Sequence, residues 1–239
     1  MQYRKTLFGA CLLALIVVPI LVYAASSGYR YYRMVSAEVV TQPVTVVIDP
    51  GHGGEDGGAV SCTGVQESGI NLDISMRLND LLGFLGVPTR MTRTEDVSVH
   101  SPEAVSFSEK KVSDLKNRVK VSNQTPNAIL VSIHQNMFSE SRYRGAQVFY
   151  ASTPGSKELA ERLQQALHKD VDPNNRRMAK QSHTVYLLNK INCPGVLIEC
   201  GFLSNPEEES KLRDPYYQIR LACSAAVCLQ NSIFDQART

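Results

Sequence analysis

The chain has 239 residues, of which 43% are hydrophobic and 20% are charged, and its formal net charge is +2. These proportions are typical of a globular protein. They exclude a disordered tail and a collagen-like fibre and, because only one long apolar run occurs, a protein with several membrane spans. Arg4 and Lys5 account for the whole positive excess, so a nucleic-acid-binding surface is disfavoured.

The amino terminus contains an uncharged run from Leu7 to Ala25. Its length is about that needed to cross a bilayer core, which predicts a transmembrane anchor or uncleaved signal over residues 7–25. Because Arg4 and Lys5 precede the run, we expect residues 1–6 to be a cytoplasmic tip and the rest to be extracytoplasmic and membrane-anchored. Cleavage after Ala24, which would give a secreted protein, remains an alternative. Residues 26–43 are predicted to be a juxtamembrane linker.

Residues 44–235 contain no repeat and no low-complexity linker, so they are predicted to form a single domain. Four short β-branched runs are candidate strands: Val44 to Ile48, Ala128 to Ile133, Ala146 to Tyr150, and Gly195 to Ile198. Helical patterns lie between these runs. The alternation predicts an α/β fold with a central, mostly parallel mixed sheet flanked by helices.

The spacing of apolar residues predicts which face of each helix is buried. The first helix has one mainly apolar face, formed by Leu72, Met76, Asn79, Leu82 and Leu85. The second helix has another, formed by Val112, Leu115, Val119 and Val121. A third helix has the row Leu159, Leu163 and Leu167.

Three apolar runs end in ionisable residues: VVIDPGHGG, LVSIHQN and VLIECGF. Ligands of open α/β sheets bind at the carboxyl edge of the strands. We therefore expect the polar residues of these three runs to converge on one crevice, namely Asp49, His52, His134, Asn136 and Glu199.

Glu67 precedes the first predicted helix, where its carboxylate can point back to the same edge. His52, Glu67 and His134 would then form a set of two imidazoles and one carboxylate. Three protein ligands with a free fourth position are typical of a catalytic zinc, whereas the alternative is that the histidines are structural.

Two further carboxylates lie near this predicted set. Glu199 is a spare carboxylate that could act as a general base. Asp49 either sets the turn before Pro50 or accepts a hydrogen bond from the ring of His52.

Four segments resemble the zinc-dependent N-acetylmuramoyl-L-alanine amidases of bacterial cell walls. They are DPGHGGEDGGA at 49–59, Glu67 with Asn71 and Leu72, SIHQN at 132–136, and IECGFLSN at 198–205. The resemblance runs from about residue 44 to residue 233. Members of the family cleave the amide between the lactyl group of N-acetylmuramic acid and L-alanine in peptidoglycan, so the resemblance implies that residues 44–235 are catalytic.

The resemblance also implies roles for individual residues. His52, Glu67 and His134 would bind one Zn²⁺ per chain, Glu199 would be the catalytic glutamate, and Asn136 would line the substrate site. Arg93 and Arg118 match arginines of the family. They would bind a carboxylate of the stem peptide or form ion pairs within the scaffold.

Within the family, the chain is similar to the germination-specific amidases of spore formers. The length, the single predicted anchor and the segment EKKVSDLKNRVKVSN at 109–123 carry this likeness. It implies action on spore-cortex peptidoglycan during sporulation, as a step toward muramic-δ-lactam, with a possible lipoprotein activator. Ser68 and Lys111 depart from the pattern, since relatives commonly have Lys and often Arg at these two positions.

Two other functions remain open from the sequence. A zinc carboxypeptidase or other exopeptidase acting on wall peptides could use the same ligand set. A non-enzymatic peptidoglycan-binding module is the second alternative, although such a protein has no need for all four site positions.

Overall fold

The computed structural model describes Tyr23 and residues 43–236. The strands are β1 (Thr45–Pro50), β2 (Thr89–Met91), β3 (Ala128–Asn136), β4 (Gln147–Tyr150), β5 (Lys180–Gln181) and β6 (Gly195–Phe202). The helices are α1 (Glu67–Phe84), α2 (Phe107–Gln124), α3 (Ser156–Asp170), α4 (Tyr186–Lys190), α5 (Pro206–Arg213) and α6 (Pro215–Gln236).

The six strands form one sheet in the order β2-β1-β3-β6-β4-β5. All neighbouring strands are parallel except β4 and β6, which are antiparallel. The predicted α/β domain with a mostly parallel mixed sheet is therefore confirmed.

Helices cover both faces of this sheet because the central strands are apolar on both sides. In β1, Val46 and Ile48 belong to the larger core cluster, which α1, α3 and α6 complete. Val47 points the other way, into a smaller cluster that includes residues of α4 and the partly buried Val119 and Val121 of α2.

The observed helix faces agree with the predicted ones in part. The row Leu159, Leu163 and Leu167 of α3 is buried as predicted. In α1, Leu82 is buried, but the rest of the buried apolar row is Ile70, Ile74 and Leu78.

The buried face of α2 differs more from the predicted one. In α2 the fully buried residues are Arg118 and Ser122, whereas Val112 is half exposed. The helix therefore packs against the domain partly through polar contacts, among them the ion pair between Arg118 and Asp49 of β1.

The predicted anchor at 7–25 lies outside the described residues except for Tyr23, as do the predicted tip at 1–6 and nearly all of the linker at 26–43. In the part of the chain that the structure describes, no helix has both the length and the apolar character required to span a bilayer.

The parallel order of β1, β3 and β6 puts their carboxyl ends on one edge of the sheet. Asp49 is paired with Ser132, and His134 is paired with Glu199. This edge therefore collects the three polar strand ends that the sequence singled out.

Leu78 and Phe84 of α1 test the packing of the larger core. Leu78 is 0% exposed and Phe84 is 89% exposed. We expect Leu78→Ala to lower the free energy of unfolding by about 3 kcal/mol, because the side chain leaves a cavity. Phe84→Ala should change it by less than about 0.5 kcal/mol. Urea unfolding followed by circular dichroism measures both, and equal effects would contradict the described core.

Candidate metal centre

Three separate segments bring His52, Glu67 and His134 together. His52 follows β1, Glu67 is the first residue of α1, and His134 lies in β3. One nitrogen of each histidine and one carboxylate oxygen of the glutamate lie within 4.8 Å of one another. The convergence expected from the strand ends is therefore present in the structure.

Glu67 is the centre of this cluster and is only 3% exposed. Its Oε1 accepts hydrogen bonds from the backbone N–H of Gln135 at 3.0 Å and from Asn71 Nδ2 at 3.0 Å. Its Oε2 accepts one from the backbone N–H of Ala59 at 3.0 Å. Burial raises the pKa of Glu67, but the hydrogen bond and charge of His134 outweigh it and lower the pKa to about 2. The carboxylate is therefore ionised at neutral pH.

His52 has a left-handed backbone with φ of 60°, which is uncommon for a residue with a side chain. Its Nε2 lies 3.4 Å from Glu67 Oε2, and its Nδ1 lies 3.1 Å from Asp56 Oδ2. Burial raises the pKa of Asp56, but hydrogen bonding to His52 outweighs it and the pKa is lowered. Asp56 thus orients the imidazole with Nε2 toward Glu67.

His134 presents Nδ1 to Glu67 Oε1 at 3.0 Å. Its ring meets that of His52 edge to face, with 5.0 Å between the ring centroids. A Cβ at position 51 would overlap the ring of His134, and one at position 58 would meet Glu67 and the ring of His52. Gly51 and Gly58 therefore leave the space that the two rings occupy.

This donor set fits a zinc ion. Two imidazole nitrogens and one ionised carboxylate match the ligand types of catalytic zinc sites, in which a fourth position stays open. A hydrogen bond from the second ring nitrogen to a carboxylate, which His52 makes with Asp56, is typical of histidines that bind metals.

Glu199 lies beside this cluster, opposite His134 in the β3–β6 ladder. Its Oε2 is buried and has no hydrogen-bond partner among the described residues. Burial raises the pKa of Glu199, the nearby His134 lowers it, and Glu67 raises it, with a net value of about 7. A buried carboxyl oxygen to which no described residue donates indicates a role in function rather than in stability.

Asp49 does not contact His52, in contrast to one of the two predicted roles. It accepts hydrogen bonds from Thr92 Oγ1 at 2.7 Å, from Ser132 Oγ at 2.6 Å and from Arg118 Nη1 at 2.7 Å. The contact with the imidazole is made by Asp56 instead.

Arg118 is buried and faces the protein rather than the crevice. Besides Asp49, it donates to the carbonyl oxygens of Pro50 and His52, each at 2.7 Å, and to Asp114. Burial lowers the pKa of Arg118, but the charges of Asp49 and Asp114 outweigh it and raise the pKa.

Arg93, which follows β2, is also buried and contacts the same stretch of backbone. It donates to the carbonyl oxygens of Pro50 at 3.0 Å and Gly51 at 3.0 Å, and to those of Ser68 and Glu95. Of the two roles that the sequence left open for Arg93 and Arg118, these contacts favour the one within the scaffold, because both guanidinium groups hold the backbone of residues 50–52.

Asn136 is half buried at the end of β3, where its carbonyl oxygen accepts a hydrogen bond from Leu203 at 2.8 Å. Its predicted role in lining the substrate site remains a prediction.

Two contributors to the site were missed. Asp56 lies in the quoted DPGHGGEDGGA segment, and its separation of four residues from His52 was an available signal. Gln135 contributes through its backbone N–H, which no sequence pattern reveals.

Asp49→Asn tests the buried ion pair. We expect a loss of about 3 kcal/mol in the free energy of unfolding, because the buried Arg118 would lose one of its two carboxylate partners and keep only Asp114. The exposed Asp73 of α1 offers a control, and Asp73→Asn should change stability by less than about 0.5 kcal/mol.

The Asp49→Asn effect should also depend on pH. The pKa of Asp49 is lowered in the folded protein, because Arg118, Ser132 and Thr92 outweigh its burial. The stabilisation is therefore complete above the unfolded pKa of about 4 and is lost as the pH falls through the lower folded value. Urea unfolding from pH 7 to about pH 3 should show the difference from wild type narrowing, and a constant difference would contradict this assignment.

Asp56→Ala tests the support of His52. We expect the affinity for zinc to fall about 10- to 100-fold, because the ring loses the carboxylate that orients it. Competition with a chromophoric chelator measures this affinity. Asp96→Ala is the matched control, since Asp96 accepts a hydrogen bond from Gly54 in the same loop. Equal affinities for the two variants would contradict the role of Asp56.

The geometry agrees with comparisons to known proteins. Residues 46–231 match the sequence profile of the N-acetylmuramoyl-L-alanine amidases. The chain is 37% identical over 180 residues to the germination-specific N-acetylmuramoyl-L-alanine amidase of Bacillus subtilis (strain 168), which covers 75% of each protein.

Solved structures give the same result. The CwlD amidase of Clostridioides difficile, solved in complex with the GerS lipoprotein, is 38% identical with a TM-score of 0.77, over 80% of this chain and 98% of that one. The amidase AmiC2 of Nostoc punctiforme is 27% identical with a TM-score of 0.69, over 83% of this chain and 99% of that one. The chain belongs to the N-acetylmuramoyl-L-alanine amidase family.

Proposed function

We propose that this protein is a zinc-dependent hydrolase that cleaves the amide between N-acetylmuramic acid and L-alanine of the peptidoglycan stem peptide. One observation carries the proposal: His52, Glu67 and His134 converge beside Glu199, whose buried Oε2 has no hydrogen-bond partner among the described residues, in a chain of the amidase family.

His52, Glu67 and His134 would hold the zinc ion. When bound, zinc supplies a Lewis acid that polarises the amide carbonyl and lowers the pKa of a coordinated water. Glu67 brings a full negative charge to the site, and Asp56 keeps Nε2 of His52 directed toward it.

Glu199 would carry the proton. Its carboxylate accepts a proton from the attacking water and donates it to the alanine nitrogen as the amide bond breaks. Because no described residue donates a hydrogen bond to its Oε2, this oxygen is free to take part in both transfers. Asn136, on the adjacent strand β3, would line the substrate site.

The proposed substrate is spore-cortex peptidoglycan, in which removal of the stem peptide precedes formation of muramic-δ-lactam before germination. The similarity to the germination-specific amidase of Bacillus subtilis supports this substrate, because it extends over three quarters of both chains.

We also propose an extracytoplasmic location, with residues 7–25 as the membrane anchor and residues 44–235 acting on the wall. The uncharged run after Arg4 and Lys5 supports this topology. A lipoprotein activator is a further proposed partner, since the similar CwlD amidase was solved with the GerS lipoprotein.

Glu199→Gln tests the proposed chemistry. We expect release of stem peptides from peptidoglycan to fall at least about 100-fold, because the general base is lost while the shape is kept. Zinc content should stay at one ion per chain, since Glu199 is not among the three metal-binding residues. The purified full chain is incubated with sacculi, and the products are identified by mass spectrometry.

Glu158→Gln, on the exposed face of α3, is the matched control and should keep wild-type activity, whereas a chelator should abolish it. Shortened peptides still attached to muramic acid would identify a peptidase instead of an amidase. Wild-type activity of Glu199→Gln would overturn the assignment of the base.

A further inference from the structure

A cavity of about 330 Å³ opens directly beside His52. Residues 53–56, residues 96–98 and the first turns of α2 form its walls. Because His52 belongs to the candidate metal centre, a group in this cavity lies next to the reacting amide. The volume is at the lower end of the range for small-ligand sites. It suits one or two residues of a substrate rather than a whole chain.

The walls of the cavity combine apolar and charged groups. Val97 and Phe107 provide apolar surface, while Lys110 and Lys111 of α2 face Glu55 and Asp56. The two halves of the proposed substrate differ in charge. The glycan half has none once its lactyl carboxyl is part of the scissile amide, whereas the peptide half has free carboxylates. The lining also includes Asp96 and Asp114, the latter paired with Arg118, so carboxylates outnumber the two lysines. A match to the peptide half therefore depends on whether one of the lysines has an ammonium group free for a ligand.

The two lysines are not equally available. Lys110 Nζ lies 2.5 Å from Glu55, and its side chain is 24% exposed. Lys111 is 50% exposed, and its Nζ lies 3.3 Å from Asp56 Oδ2, an oxygen that also faces His52 Nδ1 at 3.1 Å. A lysine ammonium has three donors, and this long contact with a shared oxygen engages one of them. Lys111 can therefore bind a ligand carboxylate without first breaking a short ion pair.

We propose that the cavity beside His52 receives the stem peptide and that Lys111 binds the first free carboxylate after the scissile amide. In peptidoglycan this group is the α-carboxylate of the D-glutamate that follows L-alanine and is linked through its γ-carboxyl. The inference rests on the proposed function. It adds the direction in which the substrate lies across the metal centre, with the peptide on the β2 side of His52.

A chemical comparison tests this contact. Two muropeptides of the same glycan length are used, which differ only in whether the D-glutamate α-carboxyl is a free acid or an amide. For the purified, zinc-loaded full chain, we expect Lys111→Met to lower kcat/KM for the acid about fivefold, mainly through KM. For the amide, Lys111→Met and wild type should agree within about twofold. Lys111→Arg should restore most of the preference for the acid.

Lys116→Met is the matched control, because Lys116 is an exposed lysine of α2 outside the cavity, and it should leave both substrates unaffected. Equal losses for acid and amide with Lys111→Met would overturn the proposal, because Lys111 would then act through Asp56 and His52. No loss for either substrate would also overturn it. A wild-type chain that releases peptide from neither muropeptide would instead contradict the proposed function itself.

Discussion

The site depends on two buried arginines that hold the backbone of one short turn. Arg118 and Arg93 together bind the carbonyl oxygens of Pro50, Gly51 and His52. These carbonyls lie where β1 ends and the chain turns, and the carbonyl oxygen of Gly51 also accepts a hydrogen bond from Asn71. Buried carbonyls that lack a donor are costly. The two guanidinium groups donate to all three carbonyls, next to the left-handed backbone of His52. Asp49 completes this arrangement, because its charge balances that of Arg118 inside the domain.

Hydrogen bonds from the surrounding fold also hold Glu67, the carboxylate of the metal centre. It begins α1, where the helix dipole favours a negative charge, and it accepts hydrogen bonds from Ala59, Gln135 and Asn71. Its ionisation and its orientation are therefore set by the fold itself. A metal that arrives at such a site meets ligands that are already in place, so little ordering of the chain accompanies binding.

The sequence predicted those features that depend on regular geometry. Parallel strands bring their carboxyl ends to one edge, so the convergence of His52, His134 and Glu199 followed from the three apolar runs. The face of α1 was only partly predicted, because the offset of its buried row from Leu72 and Met76 depends on how the helix meets α6 and the sheet. The direction of Arg93 and Arg118 could not be read from composition either. A guanidinium group can bind carbonyl oxygens inside a domain as well as a ligand outside it. The packing of α2 decides the direction of Arg118, and the path of the chain after β2 decides that of Arg93.

The buried Oε2 of Glu199, to which no residue of the described part of the chain donates a hydrogen bond, affects the stability of the domain. Desolvating a carboxyl oxygen without a hydrogen-bond donor costs free energy that an apolar side chain at the same place would not. Glu199 therefore lowers the free energy of unfolding relative to a domain with an apolar side chain at this position. The cost arises at the residue that is proposed to transfer the proton. An apolar residue of similar size at position 199 would therefore favour stability at the expense of the proposed proton transfer.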